Sequence, residues 1–170
     1  MRIFDWKFAR KGVAALLAGM LASVAPAQAC TNILMIAADG TPVYGRTLEY
    51  ALQTQSDVVV VPRNYAFVGT RPGNMAAPKW NTRYAFVGVM SFGQPFVSDG
   101  MNEKGLAGGA LYFPDFAGYT PVAQADPSTA LAPWEFLSWV LSNFSTVAEV
   151  KAALDKTVIV DLPAPMVNFT

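Results

Sequence analysis

At 170 residues, with zero net charge and 53% apolar residues, the chain is of single-domain length, can bury a core, and is too poor in charge to be disordered. Its twelve Lys and Arg are scattered without a stripe, which excludes the electrostatic footprint of a nucleic-acid or anionic-surface binder. A single cysteine excludes an internal disulfide framework, and the absence of histidine removes the usual imidazole base together with the commonest metal ligand, so neither a metal nor any other cofactor is expected.

In chain order, residues 1–29 read as a signal peptide. Arg2, Lys7, Arg10 and Lys11 form a basic start, Gly12 to Ala25 an apolar core, and Ala27-Gln28-Ala29 a small-x-small cleavage pattern. The apolar run is shorter than the roughly 20 residues that span a bilayer, so no membrane span is expected. The mature chain would start at Cys30, exported to the periplasm or secreted. The alternative reading is an exported lipoprotein lipidated on Cys30 with a binding role. A lipobox, however, favours a large aliphatic residue where this chain has Ala27.

Thr31 to Ala37 is a β-prone run, Asp39-Gly40 a hairpin turn, and Thr41 to Arg46 the returning strand. Asp57 to Val61 predicts a strand stopped by Pro62, and 64–80, broken by Pro and Gly, predicts a long loop with one extended piece. Strands follow at Arg83 to Met90, Pro95 to Ser98 and Leu106 to Phe113, with Asp99 to Gly105 as a polar turn and Phe113 to Ala132 as loop. Pro133 opens a helix with Trp134, Leu137, Val140 and Leu141 on one face. Thr146 and Glu149 form a capping box for a second helix, Val147 to Lys156, with Val150, Ala153 and Leu154 inward, and Val158 to Leu162 begins another strand. Strands, a helical pair and a strand give an α+β layered fold. A sheet apolar on both alternations wants cover on two faces, which one helix pair cannot supply, so these residues are expected to be the front portion of a longer product.

A cysteine at a new N-terminus carries its own base. The α-amine has an ordinary pKa of about 7.7–8.0 and lies within proton-transfer reach of the sulfur, which resolves the missing histidine. A nearby cation that lowers the thiol pKa from about 8.5 by one unit raises the thiolate fraction several-fold at pH 7, so an arginine beside the sulfur is the residue to seek.

Five segments carry a resemblance in order and with close spacing: Cys30-Thr31, Gly45 to Tyr50, Val61 to Tyr65, Asp99 to Leu106, and Trp139 to Val150. Together they resemble the choloylglycine hydrolase family, which holds bile salt hydrolases and penicillin V acylases. The resemblance implies a four-layer αββα N-terminal nucleophile hydrolase fold, of which residues 30–170 are the N-terminal part, acting on linear amide bonds. It implies Cys30 as nucleophile, Arg46 beside the sulfur, and Glu49, where the family usually has aspartate, holding the new α-amine. Tyr112 falls where bile salt hydrolases carry Asn and penicillin V acylases Tyr, which tilts substrate choice away from conjugated bile salts. The family's oxyanion asparagine and second arginine would lie beyond Thr170. The partner implied is a small amide with a hydrophobic acyl group, in a homo-tetrameric enzyme.

Overall fold

The computed structural model describes residues 30–50, 53–70, 72–73, 76–111, 116–126 and 129–162. The expected signal peptide and Tyr112 lie outside the described residues. The chain opens with β1 (Asn32–Ile36) and β2 (Pro42–Arg46), an antiparallel hairpin in which Asn32 faces Arg46 and Leu34 faces Tyr44. Its turn forms where expected: Gly40 takes φ +86°, and the Asp39 carboxylate accepts from the Thr41 N–H at 2.9 Å.

Next come β3 (Asp57–Val61), β4 (Ala66–Val68), β5 (Lys79–Asn81), β6 (Phe86–Ser91), β7 (Phe96–Asn102) and β8 (Ala107–Gly109). β3, β6, β7 and β8 form a four-stranded antiparallel sheet in the order β3-β6-β7-β8. The segment expected as loop, 64–80, instead contributes β4 and β5 as a second hairpin, where Phe67 stacks on Trp80 with ring centroids 4.9 Å apart. The expected loop 113–132 likewise yields β9 (Thr120–Pro121) and β10 (Ala130–Leu131), which flank β11 (Val158–Asp161) in parallel. Two-residue strands carry almost no local signal, and their partner lies far along the chain.

The helical pair forms as α1 (Phe136–Asn143), led in by a 3₁₀ turn at Pro133–Glu135, and α2 (Val147–Leu154). The expected cap forms: Thr146 accepts from the Glu149 N–H at 3.2 Å, and the Glu149 carboxylate reaches back to the backbone N–H groups before the helix, that of Ser145 at 2.7 Å. Leu154, expected inward, is exposed.

The core lies between α1 and the sheet, where Phe86, Val97, Leu137 and Leu141 pack together. Gly88 pairs with Gly100 and Gly100 with Gly108, a strip across three strands, and the latter two let the helix approach. A Cβ on Gly100 would stand 2.6 Å from Leu141 Cδ1, and one on Gly108 3.1 Å from Leu137 Cδ1. Burying two leucines there stabilises by about 1.5–3 kcal/mol each. The opposite sheet face presents Val58, Val60, Val87 and Met101 to solvent.

β7 continues through Asp99 to Asn102, which the sequence suggested was a turn; only 103–105 turns. Met90 faces Val97 and Val89 faces Asp99, so Ser98 is an extra, bulged residue. The bulge reverses the alternation: Val97 enters the core, whereas Asp99 joins the face that meets the β1–β2 hairpin.

Candidate active site

Cys30 sits at the foot of β1, half-buried and unpaired with any other cysteine. Backbone pairing holds it in place. The Thr47 N–H donates to the Thr31 carbonyl at 2.9 Å, and the Thr31 N–H donates to Thr47 Oγ1 at 3.2 Å. This alignment sets the Cys30 thiol 3.8 Å from the Glu49 carbonyl oxygen, to which it donates. Glu49 therefore meets the sulfur through its backbone, and its carboxylate makes no hydrogen bond or ion pair among the described residues. In the uncleaved chain the Cys30 nitrogen is a peptide amide with no basic lone pair.

Arg46 lies on the hairpin face set by Asn32, its cross-strand partner, which is the alternation that Cys30 continues. Its side chain is only 7% exposed. Nη1 donates to Asp99 Oδ2 at 3.1 Å, to the Ala110 carbonyl at 2.8 Å and to the Ser98 carbonyl at 3.4 Å, while Nε donates to the Thr47 carbonyl at 3.2 Å. These bonds fasten the hairpin to β7 and β8. Nη2 has no acceptor among the described residues, so Arg46 makes no hydrogen bond to the sulfur in this state.

The partners of Arg46 were absent from the sequence reading. The polar, glycine-bracketed stretch Asp99 to Gly105 reads as a turn, whereas the structure places Asp99 inside β7 and, through the bulge at Ser98, on the face that meets Arg46. Burial pushes the Asp99 carboxyl up from its ordinary value, and the Arg46 charge pulls it back only in part. Tyr44, two residues before Arg46 on the same face, has its phenol pushed up by burial and by the Asp99 charge. Tyr44 Oη and Asp99 Oδ1 are both buried without a hydrogen-bond partner among the described residues.

Asn102, Glu103 and Lys104 belong to the scaffold. Asn102 is buried and bonded on both sides of its amide, and Glu103 binds Arg63 through both carboxylate oxygens, at 2.6 and 2.5 Å. A cleft of about 620 Å³ lined by Trp80, Leu131, Trp139 and Lys156 includes none of Cys30, Arg46 or Glu49, so it lies apart from this chemistry.

The family profile described as linear amide C–N hydrolases, choloylglycine hydrolase family, matches residues 30–170, beginning at Cys30 itself. The chain belongs to the choloylglycine hydrolase family. A bile salt hydrolase/transferase of Clostridium perfringens is 34% identical over 136 residues, covering 79% of this chain and 40% of that protein. A penicillin V acylase of Pectobacterium atrosepticum is 27% identical over 121 residues, covering 68% of this chain and 31% of that protein. Among solved structures, a cysteine-to-alanine mutant of the conjugated bile acid hydrolase from Clostridium perfringens superposes with a TM-score of 0.65 at 31% identity, covering 79% of this chain and 40% of that one. Penicillin V acylase from Agrobacterium tumefaciens gives the same TM-score at 26% identity, with coverages of 76% and 40%. The chain thus spans about 30–40% of the length of these relatives. Its α+β layering of helix, sheet and hairpin is part of the αββα N-terminal nucleophile hydrolase fold.

Proposed function

We propose that this protein hydrolyses linear amides that join a hydrophobic acyl group to a small polar amine, with Cys30 as an N-terminal nucleophile exposed by removal of residues 1–29 on export to the periplasm or beyond. The observation that carries this reading is that the family match opens on the chain's only cysteine. Two solved variants of the Clostridium perfringens relative replace a cysteine and an arginine sixteen positions apart, the separation of Cys30 and Arg46. Among the described residues no helix is long and apolar enough to cross a membrane.

The free α-amine takes the thiol proton, and the thiolate attacks the amide carbonyl carbon. Collapse of the tetrahedral adduct breaks the C–N bond, and the ammonium returns its proton to the departing amine. Water then attacks the thioester with the amine again as base. The C–S bond breaks, releasing a carboxylic acid and regenerating the thiol. Arg46 supplies positive charge to the reacting centre, Glu49 orients the amine, and Tyr112 lines the acyl pocket or donates to the oxyanion. Conjugated bile acids, phenoxyacyl penicillins and N-acyl homoserine lactones share the required chemistry. Assembly as a homo-tetramer belongs to the same proposal, and light scattering on the purified protein reads it.

The test is hydrolysis of those three amides by the full-length processed protein, with intact-mass analysis of its N-terminus. At least one is cleaved by a chain starting at unmodified Cys30, and Cys30→Ala is inactive while folded. Full activity in Cys30→Ala sinks the nucleophile, and a diacylglycerol adduct on Cys30 makes the protein an anchored lipoprotein instead.

A further inference from the structure

We infer that Asp99 is a positioning residue for Arg46, holding Nη1 so that the Nη2 edge is the part of the guanidinium offered to the reacting centre at Cys30. The inference rests on the reading of Cys30 as nucleophile. A guanidinium is a planar fork, so one nitrogen can be anchored while its neighbour is presented in a fixed direction, which an ammonium cannot do. Here Nε and Nη1 are engaged by Thr47, Asp99, Ala110 and Ser98, and Nη2 alone is left without an acceptor among the described residues, on a side chain 7% exposed. Buried donors are almost always partnered, so an unpartnered one on the nucleophile's face of the hairpin is matched to a group that arrives with the reaction: the thiolate or the oxygen of the tetrahedral adduct.

Two features of the fold serve this contact. The bulge at Ser98 turns Asp99 out of the core and toward Arg46, against the alternation that Val97 would otherwise set. Gly109, the cross-strand partner of Asp99, leaves the room that the carboxylate and the Tyr44 hydroxyl occupy. A Cβ there would stand 2.4 Å from Tyr44 Oη, 2.7 Å from Asp99 Oδ1 and 3.3 Å from Arg46 Cδ. Gly109→Ala must therefore displace the carboxylate or the phenol, and both abut the arginine.

The test uses the full-length protein, with the pH profile of alkylation at Cys30 read by peptide mass spectrometry alongside kcat and KM. In Asp99→Asn the midpoint for Cys30 alkylation rises, because the loosened guanidinium no longer favours the thiolate. kcat falls by about 10- to 100-fold, the scale of a misplaced reacting group, with KM little changed. Gly109→Ala reproduces these effects, and adding Tyr44→Phe to it restores part of the loss by removing one of the two clashes. An unchanged or lowered alkylation midpoint in Asp99→Asn, with kcat intact, overturns the proposal, since Asp99 would then act only as a counter-charge. Failure of the parent reading is distinguishable: Cys30→Ala would keep its activity whatever Asp99→Asn does to the thiol.

Discussion

Asn102→Ala is expected to destabilise the fold by about 3–4 kcal/mol without touching the reacting groups. The side chain is 3% exposed and its amide is used in full. Nδ2 donates to the carbonyls of Leu141 at 3.0 Å and Phe144 at 2.7 Å, which lie at the C-terminal end of α1 and have no further helix to accept from. Oδ1 accepts from the N–H groups of Lys104 at 3.0 Å and Leu106 at 3.1 Å, closing the β7–β8 turn. Truncation strands four backbone groups, and at about 1 kcal/mol net for each lost bond the sum reaches the figure stated. Urea denaturation of the full-length protein checks it: with m near 2 kcal/mol/M, the midpoint falls by roughly 1.5–2 M with m unchanged. Asn102→Asp keeps the acceptor but sets a carboxylate against two carbonyls, so it is at least as damaging at pH 7 and recovers as acid protonates it. A midpoint shift in Asn102→Ala corresponding to less than about 1 kcal/mol would refute the claim that this residue pins helix, turn and strand together.

Gly100→Ala drives a methyl to within 2.6 Å of Leu141 Cδ1 and 2.7 Å of the Val87 carbonyl, and since backbone cannot yield cheaply it costs about 1–3 kcal/mol by the same assay. Gly45→Ala, with nothing within 4 Å of the added methyl, stays within about 0.5 kcal/mol. The Arg63 guanidinium holds the Glu103 carboxyl down at about 2 against an ordinary 4.5. Its contribution is therefore complete above about pH 4.5 and is lost as pH falls toward 2, and Arg63→Met should flatten that acid limb of the stability curve.

How much of this was legible in the sequence follows from the range of each signal. The β1–β2 hairpin was plain because Asp39-Gly40 dictates its turn locally, and β3 because Pro62 stops it. The helix pair was legible from Pro133, Thr146 and the spacing of Leu137 and Leu141. β4, β5, β9 and β10 were not: each is two or three residues long, β4 and β5 are joined by a stretch broken by Pro and Gly, and β9 and β10 exist because the distant β11 pairs with them. The bulge at Ser98 hid both the length of β7 and the direction of Asp99, since period-two reasoning fails at one inserted residue. Cys30, Arg46 and Glu49 were named from the family motifs, and the structure brings the sulfur to the Glu49 carbonyl and Arg46 to the same face of the hairpin. The partner of Arg46 stands 53 residues away and carries no local mark, so only the folded sheet shows that pairing.

The central claim, that one residue supplies both nucleophile and base, is tested most directly by comparing the full-length protein processed to Cys30 with a form in which Ala29 is retained in front of it. The processed form should hydrolyse its amide and accumulate an acyl thioester on Cys30, while the extended form, with its nitrogen locked in a peptide bond, should lose turnover by orders of magnitude. Equal turnover in the two forms would contradict the account.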